Sequence, residues 1–205
     1  MKEIAYIVGA GAFCPRALTR EPGSLLIAAD GGYDSLMKAG LRPDVVIGDM
    51  DSNVTPVAGV PLLRFPVRKN DTDLSLALKF AAGKGFRSFR LYGADGGERE
   101  DHFLGALQLL AKYSQNGADI RLISERFTLY ALTDASILLP TRPGQTVSIF
   151  SHSTLSLGVT LKGLSYEGEN LRLRSSFPLG VSNAAAGSRA LIAVKKGTLL
   201  IYQEV

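Results

Sequence analysis

The sequence predicts an α/β fold, in which an N-terminal, mainly parallel sheet with flanking helices is followed by a smaller C-terminal β-sandwich. Three observations predict it. In residues 1–140, short apolar runs alternate with helical patterns, which is typical of a parallel sheet covered by helices. In residues 141–205, short strand patterns are separated by Gly, Asn and Ser, and no helical period is visible. All the aspartates lie in the first part, so acidic chemistry is concentrated there.

Eleven strands and three helices are predicted from these patterns. Glycine, or Asn-Gly, directly follows each helical pattern and supplies the expected helix stop. The first six strands are Ile4–Val8, Leu25–Ala29, Val45–Ile47, Leu62–Phe65, Phe89–Tyr92 and Ile120–Ile123. The helices are Tyr33–Ala39, Thr72–Ala82 and Asp101–Tyr113. The later strands are Val147–Phe150, Leu155–Leu161, Asn170–Arg174, Arg189–Val194 and Thr198–Tyr202.

Composition limits the chemistry of any site. The 205 residues are 46% hydrophobic and 20% charged, which is enough apolar material for a packed core. Cys14 is the only cysteine and there are two histidines, so a disulfide framework and a multi-cysteine zinc site are excluded. Any bound metal is therefore expected to use oxygen ligands. Glu3 and Phe13 argue against a targeting segment that ends at Cys14, and we expect a cytoplasmic protein.

The net charge of +4 comes from the C-terminal part. Residues 1–140 carry 16 basic and 16 acidic side chains, whereas residues 141–205 carry 7 basic and 3 acidic ones. The basic residues are dispersed and form no dense tract interleaved with aromatics, as a nucleic-acid-binding segment would. The longest apolar runs also stop short of the roughly 20 residues that cross a bilayer. We therefore expect neither a nucleic-acid nor a membrane partner.

Two common nucleotide motifs are incomplete or absent. Gly9 and Gly11 follow the first strand and begin a dinucleotide fingerprint, but its third glycine would fall at Cys14. A tight turn after the strand is the favoured interpretation. No G-x-x-x-x-G-K-[ST] pattern occurs, which excludes a P-loop ATPase.

Two aspartates directly follow the third predicted strand. Asp49 and Asp51 are two residues apart, and such residues in an extended segment point to the same side. Two carboxylates held close favour a shared cation, and magnesium accepts such ligands while keeping positions for phosphate oxygens. The alternative is an Asp-rich turn with solvated carboxylates.

Further aspartates lie at a second strand end and at a helix start. Asp30, followed by Gly31, ends the second strand, and Asp73 lies in the first helical turn, where the helix dipole suits a carboxylate. Each is also explained as a cap, and for Asp71 the cap is the favoured interpretation. Because these segments share the carboxyl edge of the predicted sheet, we prefer a common cleft.

A glycine-rich loop joins the fifth strand to the third helix. Gly96 and Gly97 let the backbone approach an anion beside a helix N-terminus, and Arg99 adds a forked donor for phosphate oxygens. Asp101 orients His102 or caps the helix. For His102 alone, a structural hydrogen bond at the helix start is the favoured interpretation.

Together these segments resemble one enzyme family. Five elements occur in the order found in thiamine pyrophosphokinases: Asp30-Gly31-Gly32, Gly48-Asp49-Met50-Asp51-Ser52, Asp71-Thr72-Asp73, the glycine-rich Arg99–His102 segment and Val181-Ser182-Asn183. The resemblance extends over nearly the whole chain. The ordered combination is more specific than any single element.

The resemblance implies a homodimer with active sites shared between subunits. ATP and magnesium bind residues 1–140, the catalytic domain, and thiamine lies against the partner's β-sandwich, residues 141–205. The implied catalytic residues are Asp49, Asp51, Asp73 and Asp101, of which the first three are also the metal ligands. The implied ATP and phosphate contacts are Asp30, Gly31, Gly96, Gly97, Arg99 and His102. The implied thiamine contacts are Ser182 and Asn183, for which a simple turn between strands is the alternative.

Three features depart from the family pattern. Arg68-Lys69-Asn70 stands where an acidic-Lys-Asp pattern is usual, and Glu98 is an extra residue in the glycine-rich loop. The chain has no tryptophan, although some family members use one near thiamine. In this chain, the alternatives are that a Tyr or a Phe stacks on thiamine, or that no aromatic ring does.

The implied reaction transfers a diphosphoryl group from ATP to the hydroxyl of thiamine, giving thiamine diphosphate and AMP. Such transfers are catalysed largely by positioning and charge neutralisation. A haloacid-dehalogenase-type phosphatase is the main competing hypothesis, because Asp49-Met50-Asp51 imitates its D-x-D motif, although Asn53 replaces the expected Thr or Val. Two more classes stay open: a diphosphokinase for a different alcohol such as a pterin, and a non-catalytic sensor of nucleotide or thiamine.

Overall fold

The computed structural model describes residues 3–49, 55–66, 70–97 and 99–205. The chain forms two compact units, Met1–Leu109 with Asp119–Glu125, and Leu110–Ala118 with Arg126–Val205. Residues 126–140 lie in the second unit. No helix in the described part of the chain is long and apolar enough to cross a membrane.

The first unit contains six parallel strands in the order β6-β5-β1-β2-β3-β4. Its strands are β1 Ile4–Val8, β2 Leu25–Ala29, β3 Val45–Gly48, β4 Leu62–Arg64, β5 Ser88–Tyr92 and β6 Asp119–Ile123. The helices are α1 Gly32–Lys38, α2 Asp73–Gly83 and α3 Glu100–Gln115, the last of which continues into the second unit. The central strands are almost fully buried, as expected for a parallel sheet covered on both faces. The predicted strands and helices of this unit are confirmed.

The long connection after β1 is tied to the sheet by two tyrosines. Tyr6 donates a hydrogen bond to the carbonyl of Thr19 (2.9 Å), and Tyr92 donates one to that of Ala17 (3.1 Å). Burial raises the pKa of Tyr92 to about 12, so it remains a neutral donor at physiological pH. These bonds fix the backbone that lies beside the carboxyl ends of the strands.

The second unit contains eight strands that pair antiparallel in two groups of four, which confirms the predicted β-rich C-terminal part. The orders are β12-β9-β14-β7 and β11-β10-β13-β8. The strands are β7 Phe127–Thr133, β8 Ser136–Pro140, β9 Thr146–Ser151, β10 Leu155–Lys162, β11 Gly168–Arg174, β12 Gly180–Ala184, β13 Arg189–Ala193 and β14 Thr198–Glu204. Val147, Ile149, Val159 and Ile192 belong to its core and are at most 1% exposed.

Three of these strands, β7, β8 and β12, are absent from the prediction. β12 has the sequence Gly-Val-Ser-Asn-Ala, which is typical of a turn. In the structure it pairs with β9 through an irregular register between Gly180 and Asn183, and Ser182 has a φ of 59°. The hypothesis that Ser182 and Asn183 form a turn between strands is therefore wrong.

Candidate functional site

The carboxyl ends of the parallel strands bring most of the predicted site residues to one edge of the first unit. Asp30 follows β2, Asp49 follows β3, and the glycine-rich loop follows β5. The chain runs outward from β1 through β4 and then returns to the other side of β1 as β5 and β6. Strand order thus reverses between β1 and β5, and open α/β sheets bind ligands at such a switch point.

At this switch point the loops after β1 and β5 pack backbone against backbone. Gly9 N–H donates to the Tyr92 carbonyl (2.8 Å), Gly11 N–H to that of Gly93 (2.7 Å), and Ala12 N–H to that of Asp95 (2.6 Å). A Cβ atom on Gly9 would lie 2.7 Å from the Gly93 oxygen. Gly9 therefore permits close packing of the two loops, which agrees with the tight-turn interpretation. The backbone N–H groups of Gly9, Gly11 and Ala12 are used in hydrogen bonds between these loops.

Asp30 occupies a constrained position between neighbouring strand ends. It is 9% exposed and has a φ of 46°. Its N–H donates to the Ile47 carbonyl (2.9 Å), and its own carbonyl accepts from the Tyr33 N–H (3.0 Å). The following residue Gly31 is half-buried. Aspartate seldom adopts this left-handed backbone conformation. Its presence at Asp30 therefore indicates that the surrounding structure holds the backbone in this conformation.

Asp49 and Asp73 are both half-buried, one directly after β3 and the other at the first residue of α2. The cap of α2 is Thr72, whose hydroxyl accepts from the Ser75 N–H (3.2 Å). Asp71 instead binds Lys79, with Nζ 2.7 Å from each of its carboxylate oxygens, so the prediction that Asp71 is the cap is wrong. Asp73 is thereby left in the first turn, a favourable place for a carboxylate.

Asp51, the third predicted metal ligand, lies outside the described residues, as do Arg68, Lys69 and Glu98. Within the described ranges, no group of three His, Cys, Asp or Glu side chains is arranged to hold a metal ion. Asp49 and Asp73 offer oxygen donors only, the donor type that magnesium prefers.

Arg99 and Asp101 form a forked ion pair at the start of α3. Arg99 Nε and Nη2 donate to the two carboxylate oxygens of Asp101 at 3.0 and 2.7 Å, and both side chains are exposed. The hydrogen bond from Arg99 and its charge hold the pKa of Asp101 below its usual value. His102 is exposed, and its backbone N–H donates to the Arg99 carbonyl (3.1 Å). Gly96 and Gly97 are also exposed.

In the second unit, Ser182 is exposed and Asn183 is only 4% exposed. The Asn183 amide holds the backbone of Tyr166: Oδ1 accepts from the Tyr166 N–H (3.0 Å) and Nδ2 donates to its carbonyl (2.8 Å). Tyr166 is nevertheless 76% exposed. Phe177 and Leu179 are also more than 60% exposed.

Tyr166 is not among the site residues predicted from the sequence. An exposed aromatic ring offers a flat apolar face to a ligand. Nothing in the local sequence links residues 166 and 183, because their contact depends on folding of β12. The only available signal was the absence of tryptophan, which left a Tyr or Phe as the candidate ring.

Comparison with known proteins gives matches over nearly the whole chain. The family described as thiamin pyrophosphokinase, catalytic domain, matches residues 19–122. A thiamine pyrophosphokinase of Bacillus subtilis (strain 168) is 30% identical over 187 residues, covering 88% of this chain and 87% of that protein. A crystal structure of thiamine pyrophosphokinase from Bacillus subtilis has a TM-score of 0.89 at 26% identity, covering 99% of both chains. One from Geobacillus thermodenitrificans has a TM-score of 0.82 at 26% identity, covering 98% of this chain and 97% of that chain.

Proposed function

The chain belongs to the thiamin pyrophosphokinase family, and from that premise we propose that it transfers a diphosphoryl group from ATP to the hydroxyl of thiamine, giving thiamine diphosphate and AMP. The observation that carries the proposal is the 30% identity to a thiamine pyrophosphokinase over 88% of this chain, together with the acidic and glycine-rich segments that follow the parallel strands. The same match favours this reaction over a haloacid-dehalogenase phosphatase and over a pterin diphosphokinase.

In the proposed reaction, the thiamine hydroxyl oxygen bonds to the β-phosphorus of ATP. The bond between that phosphorus and the oxygen bridging to the α-phosphate breaks, and AMP leaves with the electron pair. The hydroxyl proton passes to a carboxylate of the catalytic set Asp49, Asp51, Asp73 and Asp101. The protein contributes chiefly by aligning the two substrates and neutralising charge.

We propose that Asp49, Asp51 and Asp73 hold magnesium. Asp49, directly after β3, and Asp73, in the first turn of α2, offer half-buried carboxylate oxygens, the donor type that magnesium prefers. A bound magnesium ion neutralises the charge on phosphate oxygens. Magnesium is usually bound by one or two protein carboxylates together with phosphate oxygens of the substrate. Asp49 and Asp73 together supply that number of protein ligands.

For the nucleotide we propose contacts from Asp30, Gly31, Gly96, Gly97, Arg99 and His102. Arg99 is exposed and its fork is already preorganised by Asp101. An exposed ion pair contributes little free energy, so a triphosphate competes effectively for the guanidinium. Once Arg99 binds the triphosphate, the carboxylate of Asp101 can accept a proton or a hydrogen bond from another donor.

Arg99→Ala is expected to raise the Michaelis constant for ATP about tenfold, because a charge-assisted hydrogen bond contributes roughly 1.5–3 kcal/mol. The Michaelis constant for thiamine should change less than twofold. Steady-state kinetics with each substrate varied checks this. Arg87→Ala is the matched control, since among the described residues the Arg87 guanidinium donates to the backbone carbonyls of Ala82 and Phe86. An effect confined to thiamine would assign Arg99 to the other substrate.

For thiamine we propose that Ser182 contacts the substrate directly and that Asn183 acts through Tyr166. The Asn183 amide is buried and committed to the Tyr166 backbone, so its effect is to hold the exposed ring in place. A flat organic cation such as thiamine is attracted to the face of an aromatic ring. Glu167, the next residue in sequence, adds a negative charge, whereas the charge of Glu169 is paired with that of Lys162 (2.6 Å).

Tyr166→Ala is expected to raise the Michaelis constant for thiamine about fivefold, which corresponds to about 1 kcal/mol of cation–π attraction. Tyr166→Phe keeps the ring and should stay within twofold of the unaltered protein. Asn183→Ala should raise the Michaelis constant for thiamine as Tyr166→Ala does, because it removes the hydrogen bonds that hold the Tyr166 backbone. Kinetics with varied thiamine and saturating ATP measures all three. Equal values for the Ala and Phe variants would exclude the ring from the thiamine site.

We further propose that the protein acts in the cytoplasm as a homodimer with shared active sites, as the resemblance implies. The function itself is tested by incubating the purified protein with thiamine, ATP and magnesium and identifying the products by mass spectrometry. Thiamine diphosphate with an equal amount of AMP is the expected result. Free phosphate alone would indicate a phosphatase, and no reaction would indicate a binding protein.

A further inference from the structure

One buried carboxylate at the switch point is not used by the reaction as proposed. Asp95 lies in the loop after β5 and is 8% exposed. Its Oδ2 accepts a hydrogen bond from the Ser124 hydroxyl (2.8 Å), whereas its Oδ1 is buried and has no hydrogen-bond partner among the described residues. An unsatisfied oxygen of this kind costs free energy, so a donor from outside the chain would be stabilising there.

The position of Asp95 points to a ligand as that donor. The Asp95 backbone bonds to Ala12, which places the residue where the loops after β1 and β5 meet. This is the switch point at which open α/β sheets bind ligands. Gly96 and Gly97, which follow it, are exposed. A ligand bound at the switch point would therefore lie beside Asp95.

The chemistry of ATP restricts which part of it faces Asp95. The triphosphate carries only acceptors and negative charge, so a carboxylate repels it. Donors are confined to the ribose hydroxyls and the adenine amino group. The amino group lies beside N1, an acceptor, and a side chain that reads both needs a donor as well as an acceptor. A carboxylate supplies acceptors only.

We infer that Asp95 accepts a hydrogen bond from a ribose hydroxyl of the bound nucleotide and so sets the orientation of ATP. This inference rests on the proposed function. It places the ribose at the junction of β1 and β5, while the triphosphate extends toward the carboxylates that bind its counterion. Asp95 is a positioning and specificity residue in this arrangement and takes no proton from the substrate.

The test compares the binding of ATP with that of 2′-deoxy-ATP, 3′-deoxy-ATP and inosine triphosphate by calorimetry, with magnesium and without thiamine. The unaltered protein is expected to bind one of the deoxy analogues about tenfold more weakly than ATP, because a hydrogen bond to a charged acceptor is lost. Asp95→Ala should bring that ratio close to one. Asp95→Asn, which keeps the shape of the side chain, should reduce it and should not lower the unfolding temperature. Ser124→Ala is the control, since it leaves Oδ1 unchanged, and should retain the tenfold ratio.

Equal affinity of the unaltered protein for ATP and both deoxy analogues would overturn the inference, as would an unchanged ratio in both Asp95 variants. Loss of the ratio in Ser124→Ala would also overturn it, because the effect would then reflect loop structure in general. Selective weakening of inosine triphosphate would assign Asp95 to the base instead. The proposed function fails separately, when no thiamine diphosphate is formed by a protein that still discriminates the ribose.

Discussion

Asp49→Asn and Asp73→Asn are each expected to lower kcat about a thousandfold while the protein remains folded. Each change removes one negative charge from the proposed magnesium site, and loss of one preorganised electrostatic contact in an active site costs roughly 100- to 1,000-fold in rate. Both carboxylates are half-buried at element ends and outside the hydrophobic core clusters, so the fold should tolerate the amide. Product formation by mass and thermal unfolding measure the two effects, and Asp51→Asn is expected to behave in the same way.

Asp71→Asn is the matched control for this prediction. Asp71 lies two residues before Asp73 but binds Lys79, so the change removes an exposed ion pair worth about 0.2–1 kcal/mol and no proposed metal ligand. Its kcat should stay within about threefold of the unaltered value. Near-normal rates of the Asp49, Asp51 and Asp73 variants at limiting magnesium would show that the metal assignment is wrong.

Local sequence rules predicted the first unit well because its elements are decided by local physics. β1 and β2 are short apolar runs bounded by glycine or Asp-Gly, and α1 ends just before Gly40, as its stop signal requires. Parallel strands that are covered on both faces have continuous apolar sequences, so the carboxyl end of each strand can be located in the sequence. The positions of Asp30 and Asp49 at strand ends follow from this. The position of the acidic edge could therefore be predicted from sequence alone.

The missed features depend on contacts between distant residues. β12 contains Gly, Ser and Asn, which form turns in isolation, and it becomes a strand only because β9 supplies the hydrogen-bond partners. Asn183 and Tyr166 meet only after that pairing. The cap of α2 was misassigned for a related reason: Asp71 and Thr72 are both good caps, and the nearby Lys79 draws Asp71 into an ion pair.

Mixing two inactive variants, Asp73→Asn and Ser182→Tyr, is expected to restore activity. The proposed homodimer builds each active site from the acidic residues of one subunit and Ser182 of the other. A mixed dimer then contains one site in which both contributions are unaltered. Random pairing makes about half of the dimers mixed, so activity should approach roughly a quarter of that of the unaltered protein if the two sites are independent. Co-expression of differently tagged subunits, followed by purification on both tags, isolates the mixed dimer.

The purified mixed dimer gives the sharpest form of the result, because half of its sites should be active and each parent should have none. Ser182 is exposed, so tyrosine at this position blocks the surface without entering the core. A double variant that carries both changes in one subunit, paired with an unaltered subunit, is the matched control: each of its two sites then contains one altered contribution, and it should be inactive. Activity in that control, or none in the mixed dimer of verified mass, would show that each active site is built within a single subunit.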